Sequence, residues 1–177
     1  MRLGLDVSTS NVGWCLLNEA GSIVTAGAVE LSKKKDIFDK ALAVREALRD
    51  ISRDHEVTDV AIEENLQAFR PGFSSAKTIV TLARFNGIVT LIAFEELNVQ
   101  PEFVNVNSAR KLAGLKIIKK SDVTTKDQVL NFVKEKEPTF EWPTRTLKSG
   151  TRKGHVIPAD CCYDIADAYI VAAAGCV

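Results

Sequence analysis

Arg2-Leu3-Gly4-Leu5-Asp6-Val7-Ser8-Thr9-Ser10-Asn11-Val12-Gly13-Trp14-Cys15-Leu16-Leu17 opens the chain, and its alternation decides the fold. Leu3, Leu5 and Val7 fall on one face of a strand, with Gly4 and Asp6 on the other, because neighbouring side chains of a strand point to opposite sides. Ser8 to Asn11 read as a turn. Residues 12–17 form a second strand and residues 23–29 a third, with Asn18-Glu19-Ala20-Gly21 turning between them. Three successive strands on short turns predict an antiparallel meander.

The period then changes. From 36 to 52, Ile37, Ala41, Val44, Leu48 and Ile51 recur at three and four residues, an amphipathic helix. A fourth strand covers 59–63, a long helix 74–97 and a fifth strand 102–106. A short helix follows, with Ser108 as cap and Gly114 as its end. Thr125 caps another over 126–135. Residues 137–158 hold three prolines and two glycines and read as a long loop. A final helix runs from about 160 to 175. The order β-β-β-α-β-α-β-α-α-α predicts an α/β fold, a mixed five-stranded sheet flanked by helices, as one domain over 1–177.

Asp6 ends the first strand and Glu63 the fourth. If those strands are neighbours, both carboxylates emerge near the carboxyl edge of the sheet, where open α/β folds place their ligands. Asp164 and Asp167 share a face of the last helix, being three apart. Each acid has a plainer alternative. Asp6 can brace the following turn, Glu63 can be a solvated strand end with Glu64 as rival, and Asp160 or Asp164 can serve a helix N-terminus. Together they point to one site, because clustered carboxylates repel and buried charge is costly unless a hard cation compensates it. Mg²⁺ prefers such oxygen ligands. Two ions roughly 3.5–4 Å apart would serve in-line phosphodiester hydrolysis, with Asp6 bridging.

Charge balance is even, with 23 basic and 23 acidic side chains, so any nucleic-acid surface must come from their distribution. Arg110, Lys111, Lys116, Lys119, Lys120 and Lys126 lie between residues 105 and 126 against Asp122 alone. Arg145, Lys148, Arg152 and Lys153 lie between 144 and 158 with no acid. Either run can be a solvated surface; together they can form one positive face that grips phosphates. Phe69, Arg70 and Phe73 follow Glu63 closely and suit either a probing loop, with Arg70 on phosphate and the rings stacking on bases, or an ordinary loop with its aromatics tucked inside. His155 reads as an exposed loop residue. Cys15, Cys161, Cys162 and Cys176 form no C-x-x-C pair, which argues against zinc and for reduced thiols. No signal peptide is evident and the apolar runs are interrupted, so a cytoplasmic protein with no membrane span is expected.

These residues resemble the RuvC-type Holliday junction resolvases of the RNase H-like nuclease superfamily. The likeness is carried by Leu3-Gly4-Leu5-Asp6-Val7-Ser8 with Gly13-Trp14, by Ala61-Ile62-Glu63-Glu64, and by Asp164-Ile165-Ala166-Asp167-Ala168. Ser75-Ala76-Lys77 through Ala83-Arg84-Phe85-Asn86-Gly87 is similar to the family's dimer-forming helix. Ser108-Ala109-Arg110-Lys111 and Thr125-Lys126-Asp127-Gln128-Val129 are similar to its basic elements. The resemblance implies an RNase H-like fold and a homodimer that nicks paired strands of a four-way DNA junction with Mg²⁺ or Mn²⁺. It implies no nucleotide cofactor and a bacterial or infected-cell cytoplasm. Asp6, Glu63, Asp164 and Asp167 carry over as catalytic metal ligands, and Lys126 as the lysine near the scissile phosphate. The apolar face Ile79, Leu82, Phe85, Val89 and Ile92 is expected to exceed what one sheet face needs, leaving surface for a second copy. Three other readings compete: a nuclease for RNA–DNA hybrids or flaps, a non-catalytic junction-binding module, and a sugar-kinase-like phosphate loop over Asp6-Val7-Ser8-Thr9-Ser10.

Overall fold

The computed structural model describes residues 1–64 and 76–175. Strand β1 (Arg2–Val7) pairs antiparallel with β2 (Asn11–Leu17), which pairs antiparallel with β3 (Ile23–Glu30). Helix α1 (Ile37–Asp54) crosses over to β4 (Asp59–Glu63), which lies parallel to β1 on its other side. Helix α2 (Ala76–Leu97) leads to β5 (Glu102–Val104), parallel to β4. The sheet order is therefore β3-β2-β1-β4-β5, the mixed sheet that the sequence predicts. Helices α3 (Val106–Leu112), α4 (Thr125–Lys136) and α5 (Cys161–Ala173) complete the chain, with the short strands β6 (Thr144–Thr146) and β7 (Val156–Pro158) between the last two.

The alternation along β1 sorts the core into two layers. Leu3, Leu5 and Val7, with Val12, Leu16, Val60 and Ile62, face α1 and α2 and pack on Val44, Leu48, Phe85 and Val89. Cys15 and Leu17 belong to the opposite layer, with Val129, Leu130 and Val133 of α4 and Cys162, Ala166 and Ile170 of α5. Gly4 and Gly13 face that second layer too. A Cβ on Gly4 would stand 2.2 Å from the Ala168 carbonyl oxygen, and one on Gly13 would stand 2.3 Å from that of Asp164. Two missing side chains thus form the seat in which α5 lies directly on the sheet backbone. Nothing larger than glycine fits either position while α5 stays seated.

Four local readings need correction. Asn105, not Ser108, caps α3, its side chain accepting from the amides of Asn107 and Ser108; β5 accordingly stops at Val104. Thr124, not Thr125, caps α4, accepting from Asp127 N. Both errors choose among neighbouring capping residues that sequence cannot rank. The expected loop over 137–158 contains the β6–β7 hairpin, which was illegible because each strand has three residues and one ends in proline. The fourth correction concerns α2. Its length and composition alone would suffice to cross a membrane, but Phe85, Val89, Ile92, Ala93 and Leu97 are spent on the core. The face expected to spill outward is thus the inward one. The exposed apolar stripe is a different one, Val80, Gly87, Leu91 and Phe94, spaced as one side of a helix. Phe38 and Leu42 of the adjoining α1 are exposed as well.

Candidate active site

Asp6 reaches the carboxyl edge of the sheet because it follows Gly4 on the α5 face of β1. Across the antiparallel pair it faces Gly13. Across the parallel pair, Leu5 aligns with Ile62, so one step on Asp6 and Glu63 stand side by side. Gly13 in turn admits the backbone of Asp164, bringing the first turn of α5 over Asp6. Asp167, three residues on, turns toward Glu63. The four carboxylates, separated by up to 161 residues in sequence, line one cleft of about 660 Å³ with Ser8, Glu64, Arg110 and Lys126.

The electrostatics are those of acids in excess. Burial pushes the Asp6 carboxyl well above its usual range, and the charges of Glu63, Asp167 and Asp164 push it further, against the pull of Lys126. Burial also raises Glu63, with Asp167 adding to it, while Arg110 and a hydrogen bond from Asp6 hold it down. Without a cation, burial and the neighbouring acids therefore favour the protonated form of Asp6 over its carboxylate. Asp164 and Asp167 are raised by burial as well, tempered by Lys126 and Asn11 in the first case and by Arg110 and Lys126 in the second.

Neighbouring side chains set the orientation of these acids. Asn11 Nδ2 donates to Asp164 Oδ2 at 3.1 Å. Arg110 Nη2 stands 3.5 Å from Asp167 Oδ1, an ion pair too long for a good hydrogen bond, and that oxygen and Arg110 Nε are buried without hydrogen-bond partners. Lys126 sits in the first turn of α4 at the cleft rim. Its helix is pinned to α5 by Tyr163 Oη, which donates to Asp127 Oδ1 at 2.8 Å, one residue before Asp164. Asp127 also accepts from the Thr124 hydroxyl at 2.6 Å, so cap and anchor are one network.

The cleft suits hard cations in its chemistry: four carboxylates, a buried Asp167 oxygen with unused lone pairs, and mutual repulsion that a divalent ion would relieve. Among the described residues no three acid, histidine or cysteine side chains already stand as a closed ligand set.

The other expected contacts divide. Arg110 belongs to the cleft itself, as the partner of Asp167. Lys111, Lys119 and Lys120 are exposed on α3 and on the segment before α4. Arg145 is paired with Asp160 at 2.9 Å. Lys148, Arg152, Lys153 and His155 are exposed on the hairpin. Phe69, Arg70 and Phe73 lie outside the described residues. Three features escaped the sequence reading. Asn11 gives no local sign of a partner 153 residues away. Tyr163 stands next to Asp164 in sequence, and nothing there announces that its hydroxyl holds Asp127 of α4. Lys33-Lys34-Lys35, an exposed run following β3, has Leu31 N bound to Ser10 O at the active edge, and its composition was signal enough.

Comparison with known proteins gives consistent results. The family model described as crossover junction endodeoxyribonuclease RuvC matches residues 2–140. The RuvC of a Sulfurovum species is 27% identical over 135 residues, covering 75% of this chain and 77% of its own. That of Helicobacter pylori strain G27 is 26% identical over 140 residues, covering 77% and 85%. Among solved structures, Thermus thermophilus RuvC in complex with a Holliday junction superposes with a TM-score of 0.66 at 14% identity, over 98% of this chain and 90% of that one. The yeast mitochondrial Holliday junction resolvase gives 0.58 at 14% identity, over 99% and 77%. At such identity the two structures speak for the fold.

Proposed function

The chain belongs to the RuvC family of crossover junction endodeoxyribonucleases, and from that membership we infer that it resolves four-way DNA junctions by hydrolysing phosphodiester bonds. The observation that carries this reading is the convergence of Asp6, Glu63, Asp164 and Asp167 on one cleft at the carboxyl edge of the sheet. These four would hold divalent metal, two Mg²⁺ ions with Mn²⁺ able to substitute. Bound there, the ions would supply positive charge to an attacking water and to the departing 3′-oxygen.

The chain's own groups prepare that chemistry. Asp6, whose burial among acids disfavours its charged form, would be stabilised as a carboxylate by a bound cation. Asn11 fixes one oxygen of Asp164, leaving the other aimed at the cleft. Arg110 offsets part of the charge of Asp167. Lys126, carried on a helix end tied to Tyr163, presents its ammonium at the rim, where the scissile phosphate would lie. Lys111, Lys119 and Lys120 would meet the backbone of the junction arms.

Paired nicks require two sites, hence two copies. The exposed stripe Val80, Gly87, Leu91 and Phe94, with Phe38 and Leu42 beside it, supports a homodimer through α2. Glycine at the centre of that stripe, with open space where a Cβ would be, suits close approach of a second helix. Such an enzyme works where branched DNA forms, the bacterial or infected-cell cytoplasm.

The test is a labelled four-way junction incubated with Mg²⁺ and either the parent protein or its Asp6→Asn variant. Symmetric cuts by the parent and none by the variant are expected. Equal cutting by both would defeat the assignment of the acids. A monomer that prefers RNA–DNA hybrids would defeat the substrate.

A further inference from the structure

We propose that the β6–β7 hairpin is a clamp on the backbone of duplex DNA flanking the cut, an inference that rests on the junction-cleaving reading above. Residues 144–158 contain four bases and no acid. Arg145 is used at the hairpin base, on Asp160. Lys148, Arg152 and Lys153 stand exposed toward the tip, and among the described residues none of the three pairs with an acid.

The hairpin buries almost nothing. All three residues of β6 are exposed, and in β7 only Ile157 is partly covered. Val156 is 65% exposed. A two-stranded ribbon without a core face contributes little to stability, yet this one is firmly built. Leu147 N donates to His155 O at 3.0 Å and Gly154 N to Leu147 O at 2.9 Å, extending the three strand pairs. Gly150 and Gly154 close the tip at φ of 79° and 88°, values that glycine adopts freely. The base is fixed to the catalytic helix: Pro143 O accepts from Ala159 N at 2.9 Å and from Cys162 Sγ at 3.1 Å. The helix that carries Asp164 and Asp167 thus carries the three cations as well.

The hairpin's chemistry selects its partner. Residues 144–158 include no Phe, Tyr or Trp, so there is no platform on which unpaired bases could stack. They include no Asn or Gln, the amides that read adenine. What remains is three cations with the hydroxyls of Ser149 and Thr151, a set suited to phosphate oxygens whatever the sequence. Duplex DNA presents those oxygens densely on both strands. The hairpin lies beyond residues 2–140, the stretch that the family model matches.

The experiment uses Asp6→Asn protein, to prevent cutting, with and without Lys148→Gln, Arg152→Gln and Lys153→Gln together. Binding to a labelled four-way junction and to a linear duplex of one arm's sequence is followed from 50 to 200 mM salt. The slope of log K against log salt should fall by about 2.7 for both DNAs, about 0.9 per phosphate contact. Across that fourfold range, the protein with an intact hairpin should lose about 40-fold more affinity than the triple variant. An unchanged slope on both DNAs would overturn the clamp, and so would a loss confined to the junction, which would place the hairpin at the unpaired centre. Should the triple variant melt at a lower temperature, Lys148→Gln alone decides, with an expected change of about 0.9. The two readings fail separately. Junction cutting with an unchanged slope sinks only the clamp. A duplex slope that falls as expected, while the parent protein with Asp6 intact fails to cut junctions in Mg²⁺, sinks only the resolvase.

Discussion

Charged side chains serve opposite ends in the seam between α1 and α2 and in the cleft beneath α5. In the seam, Arg45 meets Glu95 and Glu96 at 2.6 Å each, and Arg49 meets Glu96 at 3.1 Å. Two bases face two acids, Arg49 and Arg45 hold the Glu96 carboxyl below its usual range, and little is left over. In the cleft, five acids face Arg110 and Lys126, and the carboxyls of Asp6, Glu63, Asp164 and Asp167 are pushed up, burial first. The difference separates scaffold from site. Matched charges belong to the frame, whereas a half-buried surplus of one sign costs stability and persists where it serves a ligand.

The sharpest way to break this contrast is Asp6→Asn. Junction cleavage in Mg²⁺ should drop by about 10³-fold or more, about 4 kcal/mol of barrier. The same change should raise the melting temperature of the metal-free protein, since it removes a destabilising charge. The sign is fixed by the direction of the shift. The folded protein binds the Asp6 proton more tightly than the unfolded chain does. Stability from this group is therefore complete below the ordinary value of 3.8 and is lost as pH rises through the raised one. Thermal melts from pH 4 to 8 should show the variant's advantage growing with pH. Added Mg²⁺ should stabilise the parent and leave the variant much less affected.

Next comes Gly13→Ala. Its Cβ would meet the backbone of Asp164, so α5 must shift or the sheet must give, at a cost of about 1–3 kcal/mol or more. Chemical denaturation and cleavage should both suffer, in contrast to Asp6→Asn. Tyr163→Phe should act more gently, slowing cleavage roughly fivefold, as expected for one lost hydrogen bond that positions Lys126. Single-turnover rates check this, with binding affinity nearly constant. Smallest of all, Glu96→Ala should lower the melting temperature slightly, less so in high salt, and leave cleavage intact. A large loss of activity from that change would erase the distinction between seam and cleft.

The sequence was informative where a period or a strand end carried the meaning. Alternation in β1 put Gly4 and Asp6 on one face, and that face is the one α5 covers. The three- and four-residue spacing gave α1, and Asp164 and Asp167 were read correctly as sharing a helix face. Legibility ended where meaning depends on partners far along the chain. Nothing near Asn11 announces Asp164, and nothing near Arg110 says that it meets Asp167 before any phosphate. On α2 the apolar content was plain, but which side faced inward was not, because both sides are apolar. The β6–β7 pair has too few residues to show alternation.

The glycine seat has a consequence for how this protein can change. Helix α5 is located by a socket in the sheet, so the length and content of the connector leading to it matter little to the geometry of catalysis. Insertions or deletions at the hairpin tip, between Leu147 and His155, should therefore be tolerated so long as the helix can still reach its socket. The region is a natural place for substrate preference to diverge while the hydrolytic machinery stays put.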